Sequence, residues 1–237
     1  MDESSFEKKL TECPVCLNEE PATFWNVING DSDPDLKDRL LRKQVHQQVC
    51  SNCGHTFILQ HPLLYLEPSR RLMIYCHAGL PAADIQGRQA ALPAPAGWTL
   101  RLAADYNQLI EKIHLSDHCC DDRIMELVKL AVLRQQAANA VNAGSGQGDE
   151  SEDHPEPGME DDVRPFKTLY FLTADDHILR FMALDQDEQW LSFDLDSTAY
   201  LNTEQLLAGR LEDNTARWQT IGGDYAAEWL HRLAAEP

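Results

Sequence analysis

Apolar residues in the first sixty positions follow patterns that predict two strands with a helix between them. The segment 22–28, Ala-Thr-Phe-Trp-Asn-Val-Ile, is rich in aromatic and β-branched residues, which are typical of strands. Over about 34–46, leucines and a valine recur at helical spacing, and the preceding Asp31-Ser-Asp-Pro-Asp supplies an N-cap and a proline for the first turn. Residues 55–59 predict a second strand. The N-terminal region therefore mixes helices and strands.

The next eighty residues continue this mixed pattern. Two apolar runs, 63–66 and 72–76, flank the turn segment Glu67-Pro-Ser-Arg and predict a β-hairpin. Residues 79–97 contain three prolines and many small side chains, which predict a loop. The remaining elements before residue 143 are a strand over 98–102 and helices over about 104–114 and 121–138.

Beyond residue 165 the alternation of apolar and polar residues predicts a small antiparallel meander. Its three strands lie over 166–173, 177–184 and 189–195, and Asp-containing turns separate them. A final helix begins near Gly222 and has an apolar face. The C-terminal module is therefore predicted to be a three-stranded meander with a terminal helix.

The stretch 144–165 combines Gly, Pro, Ser and acidic residues with few apolar ones, so it cannot bury enough surface to become ordered by itself. We predict that it is an acidic flexible linker. The chain then has three parts: a domain over 1–143, the linker over 144–165 and a small module over 166–237.

The charge of the chain is unevenly distributed. The 237 residues include 39 acidic and 20 basic side chains, for a formal net charge of −19. Residues 149–162 contain eight acidic and no basic residues, whereas residues 1–143 contain 18 acidic and 14 basic ones. No part has the basic excess that phosphate contacts require, so nucleic acid is disfavoured as a partner.

Two further features predict a cytoplasmic location. No apolar run approaches the ~18 residues of a membrane span, so no membrane association is expected. The first residues, MDESSFEKKLTE, lack the basic and then apolar pattern of a secretory signal.

The cysteines supply the first specific chemical signal. There are seven, an odd number that argues against a set of disulfides: Cys13, Cys16, Cys50, Cys53, Cys76, Cys119 and Cys120. The first four form two Cys-x-x-Cys pairs, each beside a predicted strand, and Gly54 follows the second pair where a turn often needs a positive φ. This arrangement predicts a zinc ribbon with four thiolate ligands.

The spacing of the two pairs is unusual but explicable. The 33 residues between them exceed the usual ~15–20, and the predicted helix over 34–46 accounts for the excess as an insertion between the ribbon arms. Four thiolates would leave no position for a water, so the zinc would be structural rather than catalytic. An iron–sulfur centre or thiol redox chemistry is the alternative, and His55 is a candidate substitute ligand.

Several motifs, in order along the chain, resemble those of the CpXC family. The family is named for the Cys-Pro-x-Cys that stands here as Cys13-Pro14-Val15-Cys16. Further matching segments are Asp33-Pro-Asp-Leu-Lys-Asp-Arg-Leu-Leu, Pro62-Leu-Leu-Tyr, Arg71-Leu-Met-Ile-Tyr75, Leu109-Ile-Glu-Lys-Ile113 and Asp121-Asp-Arg-Ile-Met-Glu-Leu-Val-Lys129. The resemblance covers about residues 10–135. It implies a metal-binding domain with these limits but no particular reaction, and His118-Cys119-Cys120 departs from the family's pattern.

One group of charged residues is a weak candidate for catalysis. Asp121, Asp122 and Glu126, with Lys112, could support acid–base or divalent-metal chemistry, and Asp122 and Glu126 share a helix face. The competing interpretation is that Asp121 or Asp122 caps the helix while the others form a solvated face with ion pairs. We favour the second interpretation.

Two other clusters of side chains have both a functional and a purely structural interpretation. Asp117, His118, Cys119 and Cys120 could bind a second metal or form a reactive thiol site, but adjacent cysteines rarely share an ion, so a turn between helices is preferred. Arg70 and Arg71 beside Tyr65 and Tyr75 could form an anion or nucleic-acid patch, although such groupings are common by chance.

Together these observations predict an α+β protein. A zinc-ribbon-containing N-terminal domain with a β-hairpin and helices precedes a small C-terminal antiparallel β-meander with a terminal helix. The preferred function is a zinc-stabilised interaction or adaptor module that binds a protein partner. The alternatives are an enzyme that uses Asp121, Asp122 and Glu126, and a nucleic-acid-binding zinc ribbon.

Overall fold

A computed structural model describes residues 3–144, 165–211 and 217–235. Residues 145–164, and with them nearly all of the predicted acidic linker, lie outside this description. The contacts divide the chain into two compact units: Met1–Ser116 with Glu212–Ile221, and Asp117–Leu211 with Gly222–Pro237. No helix within the described parts has both the length and the apolar content needed to cross a lipid bilayer.

The first unit is built on a five-stranded mixed sheet with the strand order β1-β2-β5-β6-β7. These strands are β1 (Ser5–Glu12), β2 (Glu19–Asn29), β5 (Leu63–Glu67), β6 (Leu72–Cys76) and β7 (Thr99–Ala103). β1 pairs antiparallel with β2, and β5 pairs antiparallel with β6. The β2–β5 and β6–β7 pairs are parallel. A separate two-stranded ribbon pairs β3 (Gln47–Val49) with β4 (Thr56–Ile58).

Both faces of β5 and β6 are covered, which explains why nearly all of their residues are apolar. Leu63, Tyr65 and Ile74 face a core that includes residues of helices α1 (Pro34–Leu41) and α3 (Tyr106–Asp117). Leu64 and Met73 face a second core. The predicted hairpin is therefore confirmed and forms the centre of the unit.

The second unit contains the three-stranded antiparallel sheet expected from the C-terminal pattern. Its order is β10-β9-β8, with β8 at Phe166–Ala174, β9 at Ile178–Asp185 and β10 at Trp190–Asp196. The helices of this unit are α4 (Asp122–Gly144), α5 (Thr198–Leu207) and α6 (Gly223–Ala235), and α4 contacts β8, α5 and α6. The predicted α+β class is confirmed.

The structure corrects several local expectations. The helix predicted over 34–46 ends at Leu41, because Lys43 has a φ of 61° and the chain turns there. The loop predicted over 79–97 contains helix α2 (Ala82–Ala90), which fits between its prolines. Strand β1 and helix α5 were not predicted. Helix α4 belongs to the same compact unit as the C-terminal strands. The division of the chain into a domain over 1–143, a linker over 144–165 and a module over 166–237 stays a prediction.

Candidate metal centre

The tip of the β1–β2 hairpin carries the first cysteine pair. The Cys13 N–H donates to the Asn18 carbonyl, and the Leu17 N–H donates to the Cys13 carbonyl, both at 3.0 Å. Leu17 has a φ of 58°, a left-handed conformation that is rare for a leucine. These bonds fold Cys13–Asn18 into a tight loop, which we call the first knuckle.

The tip of the β3–β4 hairpin carries the second pair in the same local geometry. The Cys50 N–H donates to the His55 carbonyl, and the Gly54 N–H donates to the Cys50 carbonyl, both at 2.9 Å. Gly54 has a φ of 72°, so it occupies the position that Leu17 has in the other loop. We call Cys50–His55 the second knuckle, and the two hairpins the ribbon arms. The same two backbone hydrogen bonds therefore give the two cysteine pairs the same local backbone geometry.

The two knuckles bring all four sulfurs together. Cys13 Sγ lies 3.7 Å from Cys53 Sγ, Cys16 Sγ lies 3.5 Å from Cys50 Sγ, and the four sulfurs lie within 4.8 Å of one another. A tetrahedral ion with metal–sulfur bonds of about 2.3 Å has sulfurs about 3.8 Å apart. The four thiols therefore fit one tetrahedral metal ion, for which an all-sulfur donor set suits zinc or iron.

The surroundings of Cys16 and Cys53 shift the pKa values of these two thiols in opposite directions. The pKa of Cys16 is lowered to about 6, because the Asn52 side chain and the Asn18 backbone donate hydrogen bonds to its thiolate. The His55 backbone N–H favours the thiolate of Cys53, but interaction with Cys16, burial and the other two cysteines together raise the pKa of Cys53 to about 12. Cys16 therefore loses its proton far more readily than Cys53, and a second thiolate beside the first is disfavoured. A divalent cation at the centre would relieve this repulsion.

A carboxylate links the two ribbon arms beside the sulfurs. Glu20 lies at the start of β2, and its Oε2 accepts a hydrogen bond from the Ser51 N–H of the second knuckle at 3.1 Å. The hydroxyl and N–H of Ser51 lower the pKa of this carboxyl. Its other oxygen, Oε1, is buried and accepts no hydrogen bond from any residue that the structure describes. Sequence reasoning missed Glu20, since nothing in the cysteine spacing predicts a contact from β2 to Ser51.

The four cysteines of the cluster differ in their exposure to solvent. Cys13 and Cys50 are buried, Cys16 is half-buried and Cys53 is exposed. The imidazole of His55 is stacked on Phe57, with ring centroids 6.2 Å apart, and is not one of the grouped donors. With four thiolates as donors, an ion here would have no open position for a substrate or a water, so the arrangement suits a structural role.

The weak catalytic candidates are engaged in local pairs. Asp121 accepts hydrogen bonds from the Arg123 backbone N–H at 2.9 Å and from its guanidinium at 2.6 Å. The Lys129 ammonium donates to buried Glu126 at 2.9 Å. Asp122 is the buried first residue of α4. In the first unit, the Lys112 ammonium donates to the Ile221 carbonyl at 2.9 Å. Among the described residues, these carboxylates form no group like the four cysteines.

The turn before α4 holds the second cysteine candidates. His118 Nε2 lies 2.9 Å from Thr173 Oγ1, and its ring packs edge-on against Phe171. Cys119 is exposed with a φ of 55°. Burial raises the pKa of Cys120 to about 11, so this thiol stays protonated near neutral pH. Asp117 ends α3. These four residues thus form the turn between helices that was the preferred interpretation.

The group at the central hairpin is largely internal. Tyr65 and Tyr75 are buried, and the Tyr65 hydroxyl donates to Glu67 at 2.8 Å. The Arg70 guanidinium donates to Glu67 at 3.2 Å and to the Ser116 carbonyl at 2.6 Å. Arg71 is exposed at the end of the turn. The structure does not bring the four side chains together on one exposed surface.

Comparison with known proteins agrees with the position of the cysteines. The family model described as "CpXC protein" matches residues 11–129, which is half of the chain and includes both knuckles. No curated protein and no solved structure shows significant similarity to the chain. The resemblance found from the motifs is confirmed over nearly the range expected for it. The chain belongs to the CpXC family.

Proposed function

We propose that the ribbon arms hold one structural Zn²⁺ and that the metal-organised knuckles bind a protein partner in the cytoplasm. The observation that carries the metal assignment is the closed cluster of four thiols at the two hairpin tips. Zinc is preferred to iron because it has no redox chemistry and accepts a tetrahedral set of thiolates without a geometric preference of its own. A reducing compartment would keep all seven cysteines as free thiols, the state in which the structure has them.

Exposed apolar side chains at the knuckles support the interaction role. Val15 and Leu17 flank Cys16 in the first knuckle, and their side chains are 62% and 66% exposed. Val49, in β3 of the other ribbon arm, is 57% exposed. Val15 and Leu17 are two residues apart, and apolar groups exposed close together are typical of surfaces that bind other proteins. A metal that fixes the knuckles would hold these side chains in a constant arrangement.

Metal analysis of the purified protein tests the zinc assignment. We expect one zinc and no iron per chain in the native protein, and loss of that zinc in the Cys13→Ser variant. The Cys119→Ser variant is the matched control, because Cys119 is exposed in the second unit and should not affect the metal. One iron per native chain, or full zinc in Cys13→Ser, would contradict the assignment.

Affinity capture tests the interaction role. Val15→Thr with Leu17→Asn makes the first knuckle polar while preserving its backbone, since asparagine tolerates the left-handed region. We expect this variant to keep zinc but to lose the partners that the native protein retains. Leu206→Asn, which alters a residue that is 61% exposed in α5, should keep them. Unchanged partners for the double variant would exclude the knuckle as the binding surface, and retention of DNA or RNA at low salt would favour nucleic-acid binding instead.

A further inference from the structure

A cavity of about 270 Å³ lies in the first unit, apart from the four sulfurs. Four aliphatic side chains form its apolar wall: Leu40, Val45, Ile58 and Ile110. They come from the end of α1, the segment before β3, strand β4 and helix α3. Since a cavity of ~150 Å³ accepts benzene, this one suits a molecule of about ten non-hydrogen atoms with an aliphatic part.

His46 places a hydrogen-bond donor in the cavity wall. Its side chain is 3% exposed, and its Nε2 accepts the Trp25 N–H at 3.1 Å. Burial, with a contribution from His61, lowers the pKa of His46 to about 4, so the ring is neutral and its proton must be on Nδ1. His46 lines the cavity, so an acceptor atom of a bound ligand is the complement of this N–H donor.

The cavity also contains one side chain of each charge. Asp105 caps α3, where its Oδ1 accepts the Gln108 N–H at 2.9 Å, and no described residue donates to its Oδ2. Lys43 supplies the cation just after α1. Asp105 is therefore suited to bind an ammonium group of a ligand. Lys43 and the neutral His46 N–H are suited to bind a carboxylate.

The end of α1 fixes Lys43 in place through its backbone. The Gln44 N–H donates to the Arg39 carbonyl at 2.8 Å, and the Lys43 N–H donates to the Leu40 carbonyl at 2.9 Å. This pair of bonds is a Schellman motif, whose left-handed position is usually glycine but is Lys43 here, with a φ of 61°. A lysine thus occupies a strained position beside the cavity that a glycine would occupy without strain.

From these features we propose that the cavity binds a free aliphatic amino acid of about the size of leucine. Its carboxylate lies against His46 Nδ1–H and Lys43, its ammonium against Asp105, and its side chain against Leu40, Val45, Ile58 and Ile110. This proposal does not depend on the zinc assignment or on the interaction role of the knuckles.

Titration of the full metal-loaded chain with L-leucine, followed by NMR and calorimetry, tests the proposal. We expect saturable shifts of the Ile58 and Ile110 signals. Two analogues, 4-methylpentanoate without the ammonium and 3-methylbutylamine without the carboxylate, should each bind at least about tenfold more weakly, since each loses a charged hydrogen-bonding group. No saturable shifts with leucine at millimolar concentration, or equal binding of an analogue, would overturn the proposal.

Two variants that should fold well assign the charged contacts. Lys43→Gly suits the left-handed backbone, and Asp105→Asn keeps a good helix cap. Each should weaken leucine binding at least about tenfold. Lys43→Gly should leave 3-methylbutylamine unaffected, and Asp105→Asn should leave 4-methylpentanoate unaffected.

The matched controls are Arg71→Gly, another exposed cation with a positive φ of 51°, and Asp33→Asn, the N-cap of α1. Neither residue lines the cavity, so both variants should bind leucine as the native chain does. Folded Lys43→Gly and Asp105→Asn variants that bind leucine with native affinity would also overturn the proposal.

Discussion

At the scale of single residues, the two knuckles need the same backbone conformation but obtain it from different amino acids. The residue after the second cysteine has a φ of 58° at Leu17 and 72° at Gly54. Left-handed backbone costs a residue with a Cβ about 1–2 kcal/mol. Gly54 can be recognised as a turn residue from its type, whereas leucine has no such preference, so the conformation of Leu17 could not be predicted.

Alanine at Gly54 should therefore destabilise the metal-loaded protein by about 1 kcal/mol, although nothing lies within 4 Å of the added Cβ. Gly87 also has open space around it but lies in α2, so Gly87→Ala should raise the free energy of unfolding by up to about 1 kcal/mol. Chemical denaturation of both variants measures the difference. Effects of the same sign would show that φ does not control these positions.

The buried side chain of His46 should make the stability of the protein depend on pH. The pKa of His46 is lowered to about 4 in the folded state, so the unfolded chain takes up a proton between about pH 6.5 and 4 that the folded protein does not. The contribution of His46 to stability is therefore complete above pH 6.5, and up to about 3 kcal/mol of it is lost as the pH falls to 4.

Nitrogen NMR of the imidazole measures this pKa directly and should show the Nδ1–H form at neutral pH. The His46→Gln variant, whose amide oxygen can accept the Trp25 N–H, should lack the corresponding fall in stability. A His46 ring that is charged at pH 6 would contradict the prediction.

At the scale of elements, helix α1 and the central hairpin are joined by one buried carboxylate. Glu67 accepts hydrogen bonds from the Tyr65 hydroxyl at 2.8 Å and from the Lys37 ammonium at 3.1 Å, and Arg70 lies 3.2 Å away. Its side chain is 7% exposed. Two cations near one buried carboxylate make the loss of that carboxylate costly.

Glu67→Gln should therefore lower the free energy of unfolding by about 3 kcal/mol. The control is Glu228→Gln in α6, which removes the partner of Arg232 in an exposed pair and should cost less than about 0.5 kcal/mol. Urea denaturation of the metal-loaded variants gives both values. Similar losses would mean that Glu67 does not join α1 to the hairpin.

The sequence predicted helices and strands correctly where a strong apolar pattern lies within the segment itself. The hairpin of β5 and β6, the meander and the long helix after Asp121 have strong apolar patterns, and the structure has all of them. Helix α2 could not be predicted because the prolines on either side of it are loop signals, yet Pro81 lies at its N-cap and leaves the helix interior free of proline. The parallel β2–β5 and β6–β7 pairs could not be predicted, because strand order depends on contacts between distant segments.

The four-cysteine cluster could be predicted because, unlike strand order, its signal is local in the sequence. Metal ligands must be specific residue types at short spacing, so the two pairs carry their signal in the sequence itself. Glu20 and the cavity beside His46 depend on the tertiary fold, which brings β2 to Ser51 and α1 to α3. No pattern of spacing encodes these contacts.

At the scale of the whole molecule, each of the two units has buried apolar side chains of its own. The ribbon arms belong to the first unit, whereas Phe171 and Phe181 lie in the core of the second. A structural zinc site contributes about 10 kcal/mol in small zinc domains. Metal removal should therefore affect the ribbon arms far more than β8–β10.

Hydrogen exchange of the native and chelated protein tests this expectation. Amides of β3, β4 and both knuckles should lose protection by at least about a hundredfold after chelation, because a strong local constraint is removed. Amides of β9 provide the internal control and should keep their protection. Equal loss in both units would show that the metal stabilises the whole chain as one cooperative structure.

The first unit also depends on a segment that is made late. Gln219 pairs with the free side of β7, where its N–H donates to the Leu100 carbonyl at 3.2 Å and the Leu102 N–H donates to its carbonyl at 2.8 Å. During synthesis at about 5–20 residues per second, the ribosome adds roughly a hundred residues between β7 and Gln219, which takes about 5–20 s. For that period the nascent chain exposes an unpaired strand edge, the kind of surface that chaperones protect and that can aggregate. We therefore expect slower translation to lengthen the period in which this strand edge is exposed.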